Sequence, residues 1–278
     1  MVCREFYNNQ TEAVAEIKFC SLYSGSSGNA LFLCGGNTRI LIDAGLSAKR
    51  IITALHSIDE NPSNLNAIVI SHEHADHIRG AGILSRKLGI PIYANVKTWE
   101  AMGPAIGTVK PENRQLFPAN TRFIIGDITV QPFAIPHDAV EPTGFSFFYQ
   151  QQKVTVATDI GHINEELLRN LQHSDLILLE SNHDLQMLQN GSYPYYLKRR
   201  ILSDHGHLSN EAAGEVAVQL AASGTVRFIL GHLSKENNLP ELAYQTVLNA
   251  LLKQGFQPGT DITLSVALRD QVGQVVNL

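Results

Sequence analysis

A chain of 278 residues with 44% hydrophobic, 17% charged and 7% aromatic residues has the composition of an ordinary globular protein, which excludes disorder, collagen and coiled coil. Its 21 Lys and Arg against 26 Asp and Glu leave a formal charge of −5, which excludes nucleic-acid binding by bulk charge alone and still allows a local basic groove. Cys3, Cys20 and Cys34 lack zinc-type spacing and read as free thiols of a reducing compartment.

The first twenty residues carry charges throughout and have no apolar signal core, and no run reaches 18 apolar residues. A cytoplasmic location with no membrane contact is therefore expected. No repeat or linker divides the chain, so one domain over residues 1–278 is expected, with 1–15 as a loosely ordered N-terminal extension.

The N-terminal half reads as a β-meander, with strands at Glu16–Leu22, Ala30–Cys34 and Arg39–Ile42. A helix at Ser47–Ser57, an apolar strand at Ala67–Ile70 and a helical run at Ile78–Leu88 follow. Strands at Ile128–Ile135, Phe145–Tyr149, Val154–Ala157, Leu176–Leu179 and Phe228–Leu230 then alternate with helices at Glu165–Leu171, Asn210–Ala222 and Glu241–Gln254. Asn164 and Asn210 are placed to cap two of these helices.

The polar residues that follow the apolar strands carry the chemistry. Ala67–Ile70 runs into SHEHADH, Ile128–Ile135 into PHD, Val154–Ala157 into TDIGH, Leu176–Leu179 into ESNHD, and Phe228–Leu230 into GH. Strand ends on one edge of a layered sheet are where rigid elements can bring distant ligands together. His72, His74, Asp76 and His77 lie within six residues, and such a cluster cannot be buried unless something satisfies all four side chains. A metal does so. His72 and His74 can share one ion and Asp76 and His77 a second; further donors are needed, and the strand-end candidates are His137, Asp159, His183 and His232, with Asp159 able to bridge.

At these residues the sequence resembles metallo-β-lactamase-fold hydrolases: HEHADH matches their histidine motif and LIDAG at 41–45 their preceding Asp-Gly turn. The strings GSSGNA, LIDAGLSAKRI, PIYANVKTWEAM, ESNHD and SDHGHLSNEAA resemble the YycJ/WalJ branch, whose members resemble DNA exonucleases acting from a 5′ end. The resemblance implies a four-layer αββα sandwich. It implies one divalent ion on His72, His74, His137 and Asp159, another on Asp76, His77, Asp159 and His232, and Asp43 as a support that binds no metal. Zinc or manganese, or else iron, suits such nitrogen-rich sites.

A dinuclear centre with a bridging hydroxide suits hydrolysis of a phosphodiester in a nucleic-acid substrate, DNA by the resemblance. Asp76 would orient the nucleophile, and His207, with His183 second, would stabilise the transition state or the leaving oxygen. Ser24, Ser26, Ser27 and Asn29 form a small-residue loop that is either a phosphate cradle or a plain hairpin. Asn182 stands beside His183, and Lys198 and Arg199 lie in the Tyr193–Arg200 stretch, which interleaves aromatic and basic residues as a strand-contacting surface does. These complete the expected substrate contacts.

Rival readings are a thioester or lactone hydrolase using the same ions, a redox di-iron protein, and a metal-stabilised binding module without activity. The di-iron motif carries Glu where this chain has His74, and the chain has no room for the inserted domain of RNase J-type nucleases.

Overall fold

The protein is described from a computed structural model covering residues 16–278, so the extension expected at 1–15, with Cys3, lies outside the described residues. Two seven-stranded sheets lie face to face. The first takes β1 (Lys18–Tyr23), β2 (Ala30–Gly35), β3 (Thr38–Ile42), β4 (Ala67–Val69), β5 (Ile92–Ala94) and β6 (Arg114–Leu116) in chain order. The second takes β7 (Phe123–Ile125), β8 (Ile128–Ala134), β9 (Thr143–Tyr149), β10 (Gln152–Ala157), β11 (Leu176–Glu180), β12 (Arg227–Gly231) and β13 (Thr263–Val266). The last strand, β14 (Val276–Asn277), returns to pair antiparallel with β1.

Helices α1 (Ala48–Ser57), α2 (Ala75–Ile78), α3 (Ala81–Leu88) and α4 (Val96–Ile106) accompany the first sheet; α5 (Glu165–Leu171), α6 (Leu185–Asn190), α7 (Tyr195–Ile201), α8 (Asn210–Ala222) and α9 (Pro240–Lys253) accompany the second. The period-two alternation of strand side chains makes the layers. Along β3, Ile40 and Ile42 pack between the sheets, while Leu41 packs with Ile51 and Leu55 of α1. Along β11, Leu176 and Leu178 face the first sheet, while Ile177 and Leu179 pack with Leu220 of α8 and Val247 of α9. Three apolar layers thus separate helices, sheet, sheet and helices, which is the four-layer αββα sandwich.

Local differences have physical causes. The helical run at 78–88 is broken into α2 and α3 because Gly80 lies against the backbone of Leu46, where a Cβ would come within 2.3 Å of the Leu46 carbonyl oxygen. The cap of α8 is Ser209, whose hydroxyl accepts from the Ala212 N–H, and Asn210 is instead buried inside the first turn. Asn164 caps α5 as expected. Cys20 and Cys34 are buried free thiols, and burial pushes the Cys20 pKa up to about 11. Among the described residues no helix is long and apolar enough to cross a membrane.

Candidate metal centre and reaction cleft

β3 and β4 run parallel, as do β10, β11 and β12, so the ends that carry polar residues share one edge of each sheet. Asp43 follows β3, His72 and His74 follow β4, and Asp76 and His77 open α2. From the second sheet, His137 follows β8, Asp159 follows β10, Glu180 closes β11 and His232 follows β12. Asp43, Asp159 and His232 have φ of 58°, 61° and 57°. This left-handed backbone costs a non-glycine residue about 1–3 kcal/mol, and it turns each side chain sharply off its strand. Gly45 has no alternative: a Cβ there would lie 1.6 Å from the Asp76 carbonyl oxygen.

The edge gathers four donor groups, each with its ligand atoms within 4.8 Å of one another: His72, His74 and His137; His72, His77 and Asp159; Asp76, His77 and His232; and Asp159, Glu180, His207 and His232. Asp159 lies at their centre. Its Oδ2 is 3.4 Å from His77 Nε2, and its Oδ1 is 3.7 Å from His137 Nε2 and 3.5 Å from His232 Nδ1.

Hydrogen bonds behind the rings fix which nitrogen faces the cluster. His77 Nδ1 donates to Asp43 Oδ2 at 2.8 Å, and His137 Nδ1 donates to the Gly206 carbonyl at 3.1 Å. His232 Nδ1 donates to Glu180 Oε1 at 2.8 Å. The Ser71 hydroxyl gives its hydrogen to Asp43 Oδ2, so it accepts from His72 Nδ1 at 3.0 Å. Four rings therefore turn Nε2 inward. His137 Nε2, His232 Nε2 and Asp159 Oδ2 are buried there without any hydrogen-bond partner. Buried polar atoms without partners are costly, and a cation bound among them relieves that cost.

The charges around the cluster shift several groups. Burial disfavours a proton on His77, but Asp43, Asp159 and Asp76 hold its pKa well above the usual histidine value. Burial likewise opposes charge on His232, yet Asp159, Asp76 and Glu180 raise it to about 10. His72 and His137 go the other way, held neutral by burial. Burial works against ionisation of Asp76 and Glu180, and the neighbouring histidines override it, keeping Asp76 with His77 and His232, and Glu180 with His207 and His232, well below the carboxylate range.

Glu180 is the residue that sequence reasoning passed over. It is fully buried, and its Oε1 accepts from both His207 Nδ1 and His232 Nδ1 at 2.8 Å. Its Oε2 accepts from the backbone N–H groups of Ile160 and Leu208 at 2.6 and 3.2 Å. The available signal was an acid ending the otherwise wholly apolar β11.

The remaining expected site residues divide. His207 joins the cluster. His183 does not: it is buried outside all four donor groups, both ring nitrogens lack partners, and burial lowers its pKa to about 4. Ser24 and Asn29 are turned inward as supports. The Ser24 hydroxyl accepts from the His232 N–H, and Asn29 Oδ1 accepts from the Gly25 N–H while its amide nitrogen lies 3.1 Å from His77 Nε2. Ser26 and Ser27 stay exposed. Ser26 and Asn182 line a small pocket with His207.

The Lys198 ammonium donates to the carbonyls of Gln189 and Gly191 at 2.8 and 2.7 Å, fastening the preceding loop. Arg199 lies with Tyr195 and Leu202 on a side of α7 that does not line the pocket beside His207. His162 and His173 lie outside the donor groups, with Nδ1 at 2.8 Å from the carbonyls of Asp204 and Ser223 respectively.

Comparison with known proteins agrees with this geometry. The sequence matches the family described as the beta-lactamase superfamily domain over residues 38–233. Exodeoxyribonuclease WalJ of Streptococcus pneumoniae is 42% identical over 246 residues, 88% of this chain and 91% of the relative. Exodeoxyribonuclease YycJ of Bacillus anthracis is 38% identical over 243 residues, 87% of this chain and 92% of the relative. In fold, the chain is similar to the metallo-β-lactamase fold protein YhfI of Bacillus subtilis, with a TM-score of 0.71 at 16% identity, over 95% of this chain and 100% of that one. The conclusion from sequence, layers and strand-end cluster together is that this chain belongs to the β-lactamase superfamily, alongside the WalJ and YycJ proteins.

Proposed function

We propose that the chain, acting as one domain, is a metal-dependent nuclease that hydrolyses phosphodiester bonds of DNA from a 5′ end, with two divalent ions held by His72, His74, His137 and Asp159 and by Asp76, His77, Asp159 and His232. The observation that carries this reading is that His137 Nε2, His232 Nε2 and Asp159 Oδ2 are buried without hydrogen-bond partners within a run of donor groups whose ligand atoms lie within 4.8 Å of one another. The DNA substrate is argued from the WalJ and YycJ relatives, which are exodeoxyribonucleases, and the 5′ polarity from the branch resemblance. The donor set fits zinc or manganese.

Such ions, when bound, neutralise a phosphate and lower the pKa of water. The chain does the rest. Asp76 stays ionised beside His77 and His232 and accepts a hydrogen bond from the attacking water, which orients it toward phosphorus. Glu180 fixes the Nδ1 proton of His207, so His207 presents Nε2 to the substrate. As the P–O bond breaks, His207 acting as the imidazolium, with Nδ1–H held by Glu180, gives its Nε2 proton to the departing oxygen, while the attacking water releases one proton to solvent, so that the ring regains its proton for the next cycle.

The assay uses duplex DNA labelled at either end, metal-loaded protein and, in parallel, thioester and lactone substrates. Loss of nucleotides from the 5′ end supports the reading; thioester or lactone turnover with intact DNA replaces it with acyl hydrolysis.

Metal uptake should also be visible as protons. His77 and His232 are protonated in the metal-free cluster near neutral pH, and a cation must displace a proton from each Nε2. About two protons per chain should therefore appear in the buffer on loading at pH 7.5, read by calorimetry in buffers of different ionisation enthalpy. Zero release would contradict these protonation states. The sign for stability follows: the His232 contribution is fully present below pH 6.5 and is lost as pH rises through about 10, so the metal-free chain should melt progressively earlier across that window.

A further inference from the structure

The stretch Tyr193–Arg200 divides by helical period. Tyr195, Lys198, Arg199 and Leu202, three and four residues apart, line one side of α7. Leu197 and Arg200 line another, together with Tyr193 from the preceding loop. This second side closes a pocket of about 160 Å³ whose other walls include Ser26, Asn182 and His207. Pockets for drug-sized ligands begin at about 300 Å³, so this one has room for a single ring system.

Its lining is chemically divided. The Tyr193 ring and the Leu197 side chain offer an apolar face. Asn182 is buried, and its amide nitrogen donates to the His232 carbonyl at 2.8 Å, which leaves the amide oxygen as an acceptor. The Arg200 Nε is bonded to Asp138, and Asp138 Oδ1 in turn lies 3.3 Å from His137 Nε2. Both Arg200 Nη groups are without a protein partner among the described residues. An unpaired half of a guanidinium fork therefore stands between an aromatic pocket and the donor cluster, where a phosphate joined to a base would span the two.

We propose that this pocket seats the terminal nucleotide that the reaction releases, with its base laid on Tyr193 and its phosphate on Arg200, and that Tyr193 is a specificity-determining residue. The inference rests on the nuclease reading above. Because one base fills the pocket, the end of the substrate must leave its duplex stack to be cut, and ends that fray are favoured over ends that stay paired.

The test compares a 5′-terminal ordinary nucleotide with a 5′-terminal abasic (tetrahydrofuran) residue on otherwise identical DNA. The wild-type chain should favour the base by about 10- to 100-fold in kcat/KM, the range that stacking on one aromatic ring provides. Tyr193→Ala should bring that ratio close to one, and Tyr193→Phe should keep it. A second readout needs no turnover. With metal-loaded protein and DNA carrying a methylene in place of the bridging oxygen, a 2-aminopurine at the tip of a short single-stranded 5′ overhang, where it starts largely unstacked, should lose fluorescence on binding to the wild type and Tyr193→Phe, and keep it with Tyr193→Ala. Equal rates on base and abasic ends in the wild type, or an unchanged ratio in Tyr193→Ala, overturn the pocket and leave the nuclease reading standing. Intact DNA of every kind overturns both. Should Tyr193→Ala fail to fold, the wild-type ratio and the fluorescence of the wild type still decide.

Discussion

Asp159→Ala should lose its bound metal and more than about 10³-fold of its nuclease activity, equivalent to about 4 kcal/mol of transition-state stabilisation. Among the described residues, Asp159 is the one carboxylate that faces His77, His137 and His232 at once, with separations of 3.4 to 3.7 Å. Without it, the raised pKa of His77 and of His232 loses a principal cause, and two imidazolium rings are left buried with less countercharge. A cation would then be asked to enter a cluster that repels it. Asp159→Asn keeps the volume and one acceptor oxygen, so it should fold better and still bind metal weakly. Metal content by mass spectrometry, read beside the DNA assay, checks both. Wild-type metal and activity in Asp159→Ala would remove the basis for a shared central ligand.

Glu180→Gln should lower kcat by about 10² to 10⁴, the usual contribution of a positioned acid, even at saturating metal. The carboxylate accepts four hydrogen bonds, from two imidazoles and two backbone N–H groups. A glutamine has one acceptor oxygen, and its amide N–H₂ must oppose either both rings or both backbone donors. His207 then loses the partner that fixes its tautomer, and His232 loses the partner behind its inward nitrogen. Asp43→Asn is the comparison: Asp43 supports His77 and Ser71 and has no contact with His207, so its effect should fall on metal affinity, about 10- to 100-fold, and be recovered by adding metal. A kcat of Glu180→Gln that excess metal restores would make Glu180 a metal support only. A persistent deficit with an altered alkaline limb of the pH–rate profile marks it as the positioning residue for His207.

The sandwich and the metal cluster were legible because their signals are local. HEHADH concentrates four donors in six residues, and the apolar strands preceding His137, Asp159 and His232 announce themselves by composition. Three-residue strands such as β5 and β6 are too short to show a period, and their pairing depends on neighbours far along the chain. Glu180 was hidden by the same logic that made its neighbour visible: in ESNHD the histidine looks like the reactive group, yet the backbone at Glu180 still belongs to β11 and aims the acid at His207, while His183 is carried past the cluster. The phase of the basic helix is not visible in the sequence. Lys198, Arg199 and Arg200 are adjacent in sequence, but Lys198 and Arg199 line one side of α7, and only Arg200 lines the pocket beside His207. Ser24 and Ser26 differ in the same way across a tight loop, one bonded to the His232 backbone and one open to solvent.

His72, His74, Asp76 and His77 are fixed to the first sheet, and His137, Asp159 and His232 to the second. Neither sheet carries the whole donor cluster, so an ion held by donors from both would be a clasp across the seam between them. The grip of such a clasp is added to the cohesion of the apolar seam itself, and it scales with the free ion concentration. Scarcity of metal would then be felt first as slack between the lobes, along the rim where a nucleic-acid strand has to be aligned, before any strand or helix is lost.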